Sequence, residues 1–412
     1  MADIVLLTHA LLIDGTGKEP LEDATVVVEG HLIKDVVPSG RIGPLAGSVT
    51  TLDLRGRTLM PGLIDAHVHV AAVEGNTAEQ HRVHPPSLIV AKALRRIEQC
   101  LAQGFTTVRD AGGADYGLRE AVASGLYPGP RLLVSGRVLS QTGGHGDKRR
   151  RAEWIAPLDG DIGMLAVIAD GADEVRRAVR EQLRHDVDQI KIMASGGAMS
   201  PGDELDTTQY SVEELRAAVD EARAVGTYVL AHAYSGAAVR RALEAGVRSI
   251  EHGNLIDAET GGAIRAAGAF LVPTMATYEA IARDGARHGI GAQQLRKIHQ
   301  ARDKSVESLS HAYRAGCKIG SGSDLLGDMT VYRPLELELK GQVMTPMDVL
   351  VSATRVNAEL LRLDDRIGTV APGKEADLIA VDGNPLDDLR LFQDPERLHL
   401  VMRAGAIYRE QL

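Results

Sequence analysis

From about residue 60 to residue 357 the chain alternates between two hydrophobic rhythms. Short apolar runs of strand length fall at Leu63–Val70, Thr106–Asp110, Arg131–Val138, Gln189–Ala194, Tyr228–Ala233, Ser249–His252, Phe270–Thr274 and Lys318–Ser323. Between most of them lie longer stretches whose apolar residues recur at helical spacing. Ser87–Gln103, Asp173–His185, Ser211–Val225, Gly236–Ala245 and Ala292–Ala315 are the helices this spacing predicts. The third opens on Ser211-Val212-Glu213-Glu214, a capping-box arrangement, and stops at Gly226. Eight strands alternating with helices predict a (β/α)8 barrel, whose parallel strands bring distant residues together at their carboxyl ends.

The two ends of the chain read as β structure instead. Asp3–Ile13, Ala24–Val37 (turning at Gly30), Thr50–Leu54 and Thr58–Leu59 are strand-like at one end; Ala376–Val381 and Leu398–Ala404 are at the other. The expected organisation is therefore an α/β TIM barrel over residues 60–365, with a small β-sandwich assembled from residues 1–59 and 366–412. One connection is too long for an ordinary barrel loop. It runs from Ser140 to Pro157 and carries Gly143-Gly144-His145-Gly146 followed by Lys148-Arg149-Arg150-Arg151.

Six residues at the ends of apolar runs predict a metal site: His67, His69, Lys191, His232, His252 and Asp324. Strand alternation puts the imidazoles of His67-Val68-His69 on one face, where the pair can chelate a divalent ion. His232 and His252 end neighbouring strands, the right places for ligands of a second ion. Lys191, inside an apolar strand, would be costly if charged and unpaired. A salt bridge, a Schiff-base nucleophile and an N6-carboxylysine bridging two metals each resolve that cost. The surrounding histidines and aspartate make the bridging carbamate the best account. Asp324, flanked by glycines that permit close backbone approach, is expected to contact a metal and accept a proton from metal-held water.

Composition narrows the class without choosing the substrate. A net charge of −10 argues against a nucleic-acid partner. Two cysteines, Cys100 and Cys317, are too few for a disulfide framework or a four-cysteine zinc site and are read as buried free thiols. No apolar run is long enough to span a bilayer, and Met1–Leu7 lacks a secretory pattern. The expectation is a soluble cytoplasmic protein, monomeric or a homo-oligomer, acting on a small molecule.

With these residues assembled, the chain resembles the amidohydrolase superfamily of metal-dependent hydrolases over nearly its whole length. Pro61-Gly62-Leu63-Ile64-Asp65-Ala66-His67-Val68-His69 looks like the family's barrel entry, and Gly368-Thr369-Val370-Ala371-Pro372-Gly373-Lys374-Glu375-Ala376-Asp377-Leu378 like its return to the sandwich. The resemblance implies two divalent ions, usually zinc. His67 and His69 would hold one and His232 and His252 the other, with carboxylated Lys191 between them and Asp324 as proton shuttle. Phe105-Thr106-Thr107-Val108-Arg109-Asp110-Ala111-Gly112-Gly113 and the His145 loop look like the prolidase-type branch, which includes Xaa-Pro dipeptidases, N-acyl amino-acid hydrolases and enzymes similar to ochratoxin amidase. In that branch the loop histidine and the tyrosine after the third metal histidine assist the substrate; here they are His145 and Tyr234. The implied reaction is hydrolysis of an amide or dipeptide bond by hydroxide held between the metals.

A cyclic-amide hydrolase or deaminase, imidazolonepropionase-like, is the enzymatic alternative, with Lys191 counting against it. A non-catalytic scaffold and a Schiff-base enzyme are the readings from other classes; the intact ligand set speaks against both. Arg109, Lys148–Arg151 and Arg333 are the cations available for a substrate carboxylate, each otherwise expected to be solvated or in a surface pair.

Overall fold

Strand Thr58–Pro61 pairs antiparallel with Leu378–Val381, Pro61 opposite Leu378, and so ties the two ends of the chain into one sheet. The structure, a computed structural model, describes residues 4–43, 45, 47–150, 152–154, 162–200 and 202–412. In the end sheet, Ile4–Leu12, Leu21–Glu29 and Leu32–Pro38 follow on one side of Thr58–Pro61, and Leu398–Arg403 and Ala406–Glu410 follow Leu378–Val381 on the other; Val49–Asp53 also pairs with Ile4–Leu12. Alternate residues of these strands, among them Leu7, Val26, Val28, Leu59, Leu378, Ala380, Leu400 and Met402, build one apolar cluster. Period-two burial of that kind holds a strand's register, because a slip of one residue would turn the whole set outward.

The rest is a barrel of parallel strands wrapped in helices. Leu63–Val68, Phe105–Asp110 and Arg131–Leu133 form one hydrogen-bonded group. Ala166–Ile168, Val138–Ser140, Ile190–Met193, Val229–Ser235, Ser249–Leu255, Phe270–Val272 and Lys318–Ile319 form the other, in that spatial order. The single strand expected over Arg131–Val138 is in fact two. Gly136 takes φ 63° and Gln182 Oε1 accepts from the Arg137 N–H at 2.8 Å, so the chain turns between the pieces. The first piece pairs with Phe105–Asp110 and the second with Ile190–Met193. Ala166–Ile168, after the long loop, is a strand that periodicity did not mark.

Helices follow their sequence signals closely. Pro86–Ala102 starts with proline at its first turn and buries Ile89, Ala93, Ile97, Cys100 and Leu101, a stripe at helical spacing. Ser211 and Glu214 form the expected capping box of Val212–Ala224. Of the thiols, Cys100 is buried and Cys317 only partly so. No described helix is long and apolar enough to cross a membrane.

Closure of the barrel rests on two side chains. Asn357, fully buried, donates to Ile64 O (2.6 Å) and Ser321 O (2.8 Å) and accepts from Ser321 N (3.0 Å), joining the first strand to the segment after the last. Asp65 accepts from His67 N (3.1 Å) and Ser323 N (3.0 Å), and its other oxygen takes Ser323 Oγ and Arg333 Nη1, both at 2.6 Å. Arg333 is thus a buried structural cation and not a solvated one. Asn357→Ala is expected to lower the urea midpoint of unfolding, at a cost of about 2–4 kcal/mol, because buried backbone groups lose their partners. An unchanged midpoint would show that the seam is held by other contacts.

Candidate active site

Four histidines, a lysine and an aspartate meet at the carboxyl-terminal mouth of the barrel. His67 ends the first strand, with His69 just beyond it. Lys191 lies in Ile190–Met193, His232 in Val229–Ser235 and His252 in Ser249–Leu255, with Met193 opposite His232 and Ala233 opposite His252 in the ladder. Asp324 follows the last strand, and its N–H donates to His67 O at 2.8 Å. Its carboxylate lies 3.2 Å from His69 Nε2, 3.6 Å from His67 Nε2 and 3.9 Å from His252 Nδ1. Lys191 Nζ is 3.5 Å from His67 Nε2, and the His67 and His252 rings are 5.0 Å apart. The His232 and His252 rings follow at 4.5 Å. Gly322 has no room for a side chain: a Cβ there would lie 2.6 Å from that of His67. That is the close approach expected of the glycines beside Asp324.

Hydrogen bonds decide which nitrogen each imidazole offers. His67 Nδ1–H donates to Glu251 Oε2 (2.6 Å) and His69 Nδ1–H to Gly112 O (2.7 Å), so Nε2 is the nitrogen that each turns toward Asp324. Asp110 shapes the turn that presents Gly112, accepting from Val70 N, Gly112 N and Ala114 N. His232 faces Gly196 O with Nε2 (3.1 Å), so Nδ1 is its free nitrogen. Burial, followed by the charge of Lys191, holds His67 and His232 well below the ordinary imidazole pKa; burial and the neighbouring His232 do the same for His252. His69 goes the other way: burial works against its charged form, but the hydrogen bond and charge of Asp324 outweigh it. Burial brings the Lys191 amine down to about 8. Three imidazoles held neutral, a fourth whose Nε2 proton an ion would displace, a carboxylate and an amine close to its neutral form make a donor set that fits divalent metal; His67, His69 and Asp324 alone place three donor atoms within 4.8 Å of one another.

Glu251 was not singled out in the sequence, and it is the residue that orients His67. Fully buried, it takes His67 Nδ1 on one oxygen and Arg109 Nη2 (2.8 Å) on the other, with Ser249 Oγ beside them. Arg109 also donates to Ala66 O at 2.6 Å. It is a buried partner of Glu251, neither solvated nor a substrate contact. In a regular strand Glu251 and His252 would face opposite sides. His252 sits at φ 78°, in the left-handed region, and both side chains reach the barrel mouth. Thr274 (φ 49°) and Asp324 (φ 51°) are strained likewise, and such strain in non-glycine residues clusters at functional sites.

His145 and Tyr234 stand over this floor. The His145 ring stacks on His232 at 4.4 Å, and Tyr234 stacks on His252 at 5.2 Å. Ser200 Oγ contacts both His145 Nδ1 (2.8 Å) and Asp203 Oδ1. A carboxylate only accepts, so the serine proton goes to Asp203 and His145 Nδ1–H donates to Ser200. His145 Nε2 therefore carries a lone pair. A second chain runs from His252 Nδ1 to Thr274 Oγ1 (2.8 Å), and from Thr274 to Tyr278, whose hydroxyl lies 2.8 Å from that of Tyr234. Both tyrosines are raised above the usual phenol value, first by burial, and stay protonated. Tyr278 is the second functional candidate the sequence did not mark. The cleft has Val138, Met164, Leu165, Met199, Ile281 and Leu326 along its walls. Lys148 lines it too; Arg149 and Arg150 are paired with Asp147 and Glu79, and Arg151 lies outside the described residues.

Comparison with known proteins gives one consistent answer. The model of the amidohydrolase family matches residues 58–408. Ochratoxinase of Aspergillus niger is 32% identical over an alignment covering 99% of this chain and 87% of that protein. Among solved structures, an amidohydrolase (43% identity, TM-score 0.95) and a prolidase complexed with N-methylphosphonate-L-proline (42% identity, TM-score 0.95) each cover 99% of this chain and are themselves covered in full.

The buried Glu251 makes a direct expectation. Glu251→Ala should weaken divalent-metal binding ~10- to 100-fold, because His67 loses the partner that fixes its tautomer. It should also cost the apoprotein about 3–5 kcal/mol by leaving Arg109 buried and unpaired. Competition titration and urea unfolding measure the two effects, and full metal affinity in the variant would mean that His67 is oriented by something else.

Proposed function

Since the chain belongs to the amidohydrolase family and is a hydrolase acting on amide bonds, we propose that its substrates are dipeptides or N-acyl amino acids. The observation that carries this reading is the convergence of His67, His69, Lys191, His252 and Asp324 beneath a largely apolar cleft. Similarity over the full chain to a prolidase and to ochratoxinase supports the same substrate class. In this proposal His67 and His69 would hold one divalent ion and His232, through Nδ1, with His252 a second, with carboxylated Lys191 as a shared anionic ligand and zinc as the metal. Bound ions of this kind supply an acidified water and a Lewis acid for the carbonyl.

The chain's own residues do the rest. Asp324 is within reach of both His67 and His69 and only part-exposed, so it is placed to take the proton of the attacking water and return it to the departing nitrogen. Tyr234 donates to the carbonyl oxygen as charge develops there. Its own oxygen accepts from Tyr278, which in turn accepts from Thr274, so the free phenolic proton points into the cleft. His145, with a lone pair on Nε2, is an acceptor for a substrate N–H. The apolar wall of Met164, Leu165, Met199 and Ile281 takes a side chain or acyl group and keeps bulk water from the reacting carbon. No serine or cysteine nucleophile takes part.

Amino acid release from a library of dipeptides and N-acyl amino acids, with ammonia measured in parallel, tests the substrate class. Ammonia without amino acid release would favour the deaminase alternative. Asp324→Asn is expected to lower kcat about a thousandfold while the protein still loads metal; turnover near that of the unaltered enzyme would remove the proton-shuttle role. Chelation should abolish activity, with recovery on zinc and bicarbonate together being faster than on zinc alone, as a carbamate at Lys191 requires.

A further inference from the structure

We infer that Lys148 is the residue by which this enzyme selects substrates with a free carboxylate, pairing with that group at the neck of the cleft. The inference deepens the amide-hydrolase reading above and rests on it. Lys148 belongs to the walls of two adjoining spaces. One is the cleft over His67, His69, Lys191, His232 and His252; the other is a chamber bordered by Thr77, His81, Arg82, Arg137 and Ile168. Gly146, Met164 and Leu165 line both as well, so Lys148 stands at the boundary between the two spaces.

Most cations around this mouth already have partners. Arg82 pairs with Glu153 at 2.8 Å, and Arg149 with Asp147. Lys297 is spent on three carbonyls, those of Gly197, Ser200 and Asp203. Arg109 is held by Glu251 and Arg333 by Asp65. Lys148 differs from all of these: it makes no hydrogen bond and no close ion pair with any described residue. Its long-range neighbours partly cancel, Asp203 and Asp147 against Lys297, and burial disfavours its charge. A part-buried ammonium with no partner among the described residues has lost much of its hydration and gains when a ligand supplies the anion.

A substrate carboxylate is the anion that fits. The protein carries a net charge of −10, so an anionic substrate gains nothing from the global field and needs a local cation to hold it. Dipeptides and N-acyl amino acids both carry a carboxylate close to the scissile amide. The same neck has Met164 and Leu165 on its wall, giving the side chain of that terminal residue an apolar neighbour. A lysine makes a single point-charge contact there, which tolerates variation in the residue bearing the carboxylate.

The test uses the zinc-loaded enzyme and a panel of N-acetyl-L-amino acids, each matched with its C-terminal carboxamide. The measured quantity is the ratio of kcat/KM for acid over amide. The unaltered enzyme should favour the acid, and Lys148→Met should reduce that ratio ~100-fold, with Lys148→Arg retaining much of it. Damage to folding or metal loading lowers both members of a pair and leaves their ratio where it was. A ratio that survives in Lys148→Met overturns the role of Lys148. Equal hydrolysis of acids and amides by the unaltered enzyme overturns carboxylate selection while amide hydrolysis stands. Hydrolysis of neither, and of no dipeptide, brings down the substrate class and this inference together.

Discussion

A barrel exists only if its last strand finds its first, and here that closure also makes the site. His67 and Asp324 are 257 residues apart in sequence (324 − 67), yet a hydrogen bond joins the Asp324 N–H to the His67 carbonyl. Asp65 and Asn357 enforce the meeting from the buried side: each bonds to the first strand and to the segment after the last. Losing either would leave buried polar groups at the seam without partners, with the Ala66 N–H to Ser321 O and Asp324 N–H to His67 O bonds still spanning it. Stability of the fold and geometry of the site are therefore the same set of contacts at this point.

The second constraint is charge. The mouth gathers four imidazoles, an ammonium, a guanidinium and several carboxylates where water is scarce. Burial keeps three of the imidazoles neutral, which metal ligation needs, and the one fully buried arginine beneath them is matched by Glu251. Arg333 is matched by Asp65 in the same way, and Lys297 by three carbonyls of the 197–203 loop. That loop in turn holds His145 through Ser200. Backbone strain at His252, Thr274 and Asp324, of order 1–3 kcal/mol each, is tolerable because the surrounding barrel leaves these residues no alternative path.

Much of this was legible in the sequence, for a physical reason: regular strands and helices announce themselves by period. The strand runs, the capping box at Ser211 and the gathering of His67, His69, Lys191, His232, His252 and Asp324 at one barrel mouth follow from alternation, although Lys191, His232 and His252 lie inside their strands and not at the ends. What escaped was irregular. Gly136 divides a strand because its left-handed turn is backed by Gln182, a contact from another element. Glu251 was hidden because alternation assigns it the face opposite His252, and only the φ of His252 brings both inside. Tyr278 lies on a helix whose pattern shows a buried aromatic residue but not that its hydroxyl meets Tyr234. Arg109 and Arg333 looked like candidates for solvent because sequence does not reveal a buried carboxylate one strand away.

The irregular elements also divide chemistry from selectivity. Every group assigned to bond cleavage, apart from His145, sits on or just after a barrel strand, where the ladder limits movement. The cleft walls come from connections: the stretch carrying His145 and Lys148, the segment around Met164 and Leu165, and the 197–203 loop. Methionines, flexible and polarisable, make up part of that wall and accommodate different apolar shapes. A floor fixed by strands and walls built of loops can keep one reaction while the accepted substrate changes. Selectivity in such a site should then rest on few polar contacts, because an adaptable apolar wall discriminates weakly: one methylene is worth only ~1–3 kcal/mol. A single charged side chain beside residues that fit many shapes, as proposed for Lys148, would outweigh the wall in deciding what is cleaved.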